Sequence, residues 1–194
     1  LLPFVSQLVR YSCQVIKDKK TVEPEQTLKY IDDRLLTMPP VALMQVKKEI
    51  DYMFSLVKDN ISLSFEAMSQ GNTAKADAIF KNEAIIDFTN GALTRFLIKL
   101  SPSVEQSDEQ VIGSYFHLLN DLERIGDHAE NFYEIAAEMS AKKISFSEKA
   151  RKDIGAMRDK VTQMLILAKD AFDNRNRAEP PDLAALQNEV DTMK

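Results

Sequence analysis

From Ile50 onward, apolar residues recur with the period of a helix: Ile50, Met53, Phe54, Val57, Ile61 and Phe65, a run that stops at Gly71-Asn72. A stripe of that spacing is buried only if the segment is an α-helix packed along one face. Two more stripes follow. One carries Ile79, Ile85, Ile86, Ala92, Leu93 and Phe96 and stops near Ser101-Pro102. The other runs from about Gln106 to Ala141, with Leu118, Leu122, Ile125, Ala129, Phe132 and Ala136 as its apolar face. Pro39 and Pro40 suit the start of the first helix, where a missing N–H costs little. Ser145 with Glu148 reads as a capping box for a fourth helix, which ends in the polar NRNRAEPPD, and Asp182 reads as the cap of a fifth. No segment alternates with period two. Five glycines in 194 residues leave the long stretches to good helix formers. The class is therefore all-α, and short connections between long helices make an antiparallel up-down bundle.

Three regions are expected: a lead-in over residues 1–38, a three-helix bundle over 39–142, and the start of a second, incomplete bundle over 143–194. The last rests on an internal repeat. One offset pairs Ile50 with Ile154, Met53 with Met157, Val57 with Val161, Ala67 with Ala171 and Asp87 with Asp191. The same offset places the counterpart of the third helix beyond Lys194. A chain that starts at Leu1 reads as a piece of a longer protein. Its opening LLPFVSQLVRYSCQVI reads as an amphipathic lead-in helix, apolar enough to pack on a partner or lie near a membrane surface. No run approaches the roughly 20 apolar residues of a membrane span. Cys13 is the sole cysteine, which excludes an intrachain disulfide and a cysteine-rich zinc site. A net charge of −5 argues against nucleic acid as the main partner.

The stretch DLERIGDHAEN, residues 121–131, carries the chemistry. On a helical wheel Glu123, Asn120, Asn131 and Glu134 fall within about 40° of Asp127, with Glu130 somewhat further round. On its own such a stripe is an ordinary solvated face. KNEAIIDFT repeats the spacing with Glu83 and Asp87, which the wheel places away from that helix's apolar face. An antiparallel hairpin turning near Glu105 puts Glu83 level with Asp127 and Asp87 level with Glu123. Four carboxylates then converge between two helices, with Arg124 and Arg95 at hand to neutralise part of the charge. Crowding should raise some of their pKa values, and hard oxygen-binding cations are the natural remedy. His117 and His128 project at roughly 80–100° from Asp127, beside the stripe. Neither follows a glutamate by three residues, as the histidines of di-iron bundles do, so an oxidase is disfavoured. No nucleophile motif, Gly-rich phosphate loop or HExxH occurs.

DLERIGDHAEN, preceded by a helix bearing E-x-x-x-D, resembles the PhoU family of phosphate-signalling proteins. The resemblance implies a repeated three-helix bundle whose E/D-x-x-x-D motifs hold metal ions, often multinuclear iron, with manganese, magnesium or zinc as alternatives. Carried over by position, the metal ligands are Glu83, Asp87, Glu123 and Asp127. In the second copy Asp191 keeps the aspartate, but Gln187 stands where the glutamate would be. The lead-in IDDRLLTMPPVAL followed by KKEIDYM is similar to the junction before the PhoU-like tail of bacterial sodium-dependent phosphate cotransporters. That implies a regulatory, non-enzymatic domain on the cytoplasmic face of the inner membrane. Its partners would be the transporter's membrane domain, in the same parent chain, and a second copy of itself. A metal-free interaction bundle, a free-standing phosphate-signalling regulator and a carboxylate-bound metal enzyme are the competing readings.

Overall fold

The structure is a computed structural model that describes residues 27–174 and 181–193. The expected lead-in helix and Cys13 lie outside those residues. The described part is helical throughout: a short 3-10 helix at Asp33–Thr37, then α1 (Pro39–Gln70), α2 (Ala76–Leu100), α3 (Gln106–Ala141), α4 (Glu148–Asp173) and α5 (Pro181–Thr192).

The punctuation is local chemistry. Pro39 and Pro40 open α1. Gly71 closes it in the left-handed region (φ 68°), donating its N–H to the Ala67 carbonyl, a conformation that strains any residue with a Cβ. Ser101–Ser103 makes a 3-10 turn after α2. At α4 the cap is Ser147, not Ser145: its hydroxyl accepts from the Ala150 N–H at 3.2 Å, which leaves Glu148 as the first helical residue. Asp182 lies inside the first turn of α5, behind Pro181, where its charge suits the helix dipole.

α1 is the central helix. It buries Val46, Ile50, Met53, Val57 and Ile61 against Ile86, Leu93, Leu97 and Leu100 of α2 and Ile112, Leu119 and Leu122 of α3. α4 runs antiparallel to α1, tied by Lys47–Asp173 at 3.0 Å and Lys169–Asp51 at 2.7 Å. It contributes Ile154, Met157, Val161, Leu165 and Phe172 to the same core, and Phe172 lies 5.9 Å from the Tyr115 ring. α5 packs on α4, where Lys160 pairs with Glu189. Gln187 and Asp191 are exposed on α5.

The stretch before α1 is strapped to the bundle. Leu28, Ile31, Leu35 and Leu36 pack on the core. The Tyr30 N–H donates to Glu49 Oε1 at 2.6 Å, and Lys99 holds Asp33 at 2.9 Å. Glu49 is 1% exposed. Burial raises the pKa of its carboxyl, opposed by the backbone N–H groups of Tyr30 and Lys29.

The buried stripes differ from the expected ones by part of a turn. On α3 they are Ile112, Tyr115, Leu119, Leu122, Gly126, Ala129, Tyr133 and Ala136. Leu118 and Ile125 are half-buried, and Phe132 remains 38% exposed although its ring lies 5.2 Å from Phe65. On α2 the seam is Ile79, Glu83, Ile86, Thr89, Leu93, Phe96, Leu97 and Leu100. Glu83 is therefore an inward residue, contrary to the expectation that it faces outward.

Candidate metal centre

Glu83 and Asp87 stand one turn apart on α2; Glu123 and Asp127 stand one turn apart on α3. The hairpin register brings these pairs together as the spacing requires, to within one residue: Glu83 faces Gly126, the neighbour of Asp127. Carboxylate oxygens of Glu83, Asp87 and Asp127 all lie within 4.8 Å of one another. Two oxygens that each sit about 2.0–2.6 Å from one cation can be at most about 4–5 Å apart, so this group is compact enough to share an ion. Glu123 flanks the group without joining it, and is half-buried.

The depth of the site is unequal. Asp87 and Asp127 are exposed, whereas Glu83 is 5% exposed and sits between the helices. Both of its oxygens are buried without a hydrogen-bond partner. A buried carboxylate normally collects donors, because an unpaired one loses its hydration for nothing in return. Here the nearest charged groups are more carboxylates. Burial first, then the charges of Asp87, Glu130, Asp127 and Glu123, push the Glu83 carboxyl up to about 8. Burial and Asp127 raise Asp87. Burial, Asp127 and Asp87 raise Glu123, with Arg124 pulling the other way. Arg95 takes no part in this and lines a separate cleft with Leu28, Ile31 and Phe88.

Glu130 belongs to the same electrostatic unit. It is half-buried, and its carboxyl is raised by burial and by Glu134, Asp127 and Asp87. On the wheel it stands beyond the stripe, and the E-x-x-x-D spacing does not pick it out. Neither does that spacing pick out Gly126, although a glycine in the middle of a 36-residue helix is a signal in itself. His117 and His128 are both exposed. His128 lines a cleft of about 370 Å³ on another face of α3, with Phe54, Leu122, Leu165 and Lys169.

The residues fit a hard cation. Oxygen-only donors of uniform negative charge, one of them orphaned in the interior, have unmet coordination capacity that a divalent or trivalent ion satisfies directly. Such an ion would sit at the groove between α2 and α3, reached from solvent past Asp87 and Asp127.

The PhoU domain family matches residues 50–136, a span that holds all of α2, most of α1 and α3, and the acids of the candidate centre, Glu83, Asp87, Glu123, Asp127 and Glu130. Two relatives carry the description phosphate-specific transport system accessory protein PhoU homolog. That of Aquifex aeolicus is 30% identical over 96 residues, 48% of this chain and 43% of that protein. That of Clostridium acetobutylicum is 25% identical over 154 residues, 78% of this chain and 69% of that protein. The chain thus spans less than half the length of the Aquifex relative. No solved structure is significantly similar to it. Residues 50–136 of this chain are thus similar to PhoU domains.

Proposed function

We propose that this chain is a metal-binding regulatory domain that acts on a phosphate transporter. The observation that carries the metal half is Glu83, whose two buried oxygens lack any donor while Asp87 and Asp127 stand beside them. The ligands of this reading are Glu83, Asp87 and Asp127, with Glu123 beside them as the fourth carboxylate of the set. Iron is the leading candidate from the family resemblance, with manganese, magnesium or zinc as alternatives. The regulatory half rests on the PhoU domain and on the accessory-protein description of its two relatives.

The finer reading is that the domain is the tail of a sodium-dependent phosphate cotransporter, working at the cytoplasmic face of the inner membrane beside that transporter's membrane domain. The junction-like sequence before α1 supports it. No helix among the described residues is long and apolar enough to cross a membrane. The role proposed is regulatory, not catalytic.

Elemental analysis of protein purified without chelator tests the metal half. Iron or another cation at a fixed ratio, lost on Asp127→Asn, is the expected result. Protein that holds no metal and melts alike with and without added ions would leave Asp87, Glu123 and Asp127 a solvated face and Glu83 a buried acid without a ligand. The remaining reading would then be a metal-free interaction module, for which the exposed Phe132 and Ile135 on α3 are the starting surface.

A further inference from the structure

Five glycines occur in the chain, and they differ sharply in what a side chain would meet. A Cβ added at Gly113 or Gly155, both inside helices, would have nothing within 4 Å. At Gly91 it would meet only the Arg95 side chain of its own helix, at 3.3 Å. At Gly126 it would stand 2.7 Å from Glu83 Oε2, 3.2 Å from Oε1 and 3.3 Å from Cδ. The whole carboxylate of Glu83 therefore occupies the space that any other residue at 126 would claim. Helix formation does not call for a glycine there, because alanine is the better helix former.

We propose that Gly126 is the positioning residue of the metal centre: its missing side chain is the notch through which Glu83 enters the α2–α3 seam and becomes the inner ligand beneath Asp87 and Asp127. This rests on the metal reading above and adds a residue that touches no ion. Without the notch, the flexible end of Glu83 is what must yield. It rotates out of the seam, and the exposed pair Asp87 and Asp127 is left as a two-carboxylate surface site. Rigid placement of a ligand by a neighbour of this kind is what separates a site from a collection of acids.

The test is a double-mutant cycle with Gly126→Ala, Glu83→Ala and the pair, in the whole chain, using Mn²⁺ titration and chemical denaturation of the metal-free proteins. Gly126→Ala should weaken Mn²⁺ binding by at least about tenfold with unchanged helical content and with metal-free stability equal to or above wild type. On the Glu83→Ala background, Gly126→Ala should leave Mn²⁺ affinity where it is. Wild-type affinity in Gly126→Ala, or an equal loss on both backgrounds, overturns the proposal. A glycine needed only for close helix packing would instead lower metal-free stability on both backgrounds alike. If the wild-type protein binds no Mn²⁺, Fe²⁺ or Zn²⁺, the metal reading itself fails. The notch is then judged on metal-free stability alone, where additivity of the two substitutions would refute it.

Discussion

Replacing Glu83 by glutamine removes one buried ionisable group while keeping the size and shape of the side chain, and its effect on the metal-free protein follows from the geometry. The carboxyl is raised from 4.5 to about 8 in the folded state. For an acid, a raised folded pKa means that folding opposes ionisation, so the penalty is absent below the unfolded value and grows as pH rises towards the folded one. Each pH unit in that interval costs about 1.4 kcal/mol, which gives under about 1 kcal/mol at pH 5 and about 3 kcal/mol at pH 7. Against a typical total stability of roughly 5–15 kcal/mol this is large. For a chain of this length it corresponds to roughly 6–12 °C in Tm at pH 7. Asp87, Glu123 and Glu130 are shifted in the same direction and add to the slope. Chelator-treated wild type and Glu83→Gln should therefore melt close together at pH 5, with the variant ahead by a margin that widens to pH 8. Unlike an acidic side chain, the glutamine amide carries no charge to desolvate and has N–H donors to offer Asp87 or Asp127. Saturating metal should reverse the order, because only wild type keeps the full ligand set. Thermal melts at four pH values, with and without Mn²⁺, read all of this. A margin that does not change between pH 5 and 8 would refute the claim that folding opposes the ionisation of Glu83.

Asp127→Asn should keep the helix and lose the metal. Stability without metal should stay level or rise slightly, and the stabilisation of about 2.7 kcal/mol that wild type gains at a hundredfold excess of ion over its dissociation constant should vanish; a metal-induced Tm shift retained in the variant would contradict this. Glu49→Ala removes the acceptor of the Tyr30 N–H. Faster amide exchange should follow at residues 28–36 with the protection of α2 and α3 unchanged, and uniform loss of protection would mean that the strap is not a separate element. Lys169→Met keeps the stem of the side chain but cuts its ion pairs to Asp51 and Asp173. Since Asp51 is partly exposed, the cost should be modest, about 1 kcal/mol in urea denaturation, and a loss of several kcal/mol would show that this pair is the main tie between α4 and α1.

The helices were legible in the sequence because their signals are local. Period-3.6 apolar spacing, Pro39-Pro40 at one end of α1 and Gly71 at the other act over a few residues, and no partner helix alters them. The acidic pairs were legible for the same reason, as were the antiparallel pairing of α2 with α3 and their approximate register, since a short hairpin leaves little freedom. What a helical wheel does not convey is which part of a turn faces inward when the inward residue is charged. It assigns every carboxylate to solvent, so it turned Glu83 outward and offered no hint that Glu49 is buried. Only the packed structure settles those positions, because the free energy of burying a charge depends on what the opposite helix presents. Opposite Glu49 are the backbone N–H groups of a strap; opposite Glu83 is a glycine with room for a carboxylate and no donor to satisfy it. The opposite helix likewise decides how far Glu130 and Phe132 are turned inward, whereas the cap at Ser147 is a local choice two residues along the loop. Residue types and spacings in the sequence are enough to bring the acids to one groove. Which of them lies inside it, and beside what, is a property of two helices together.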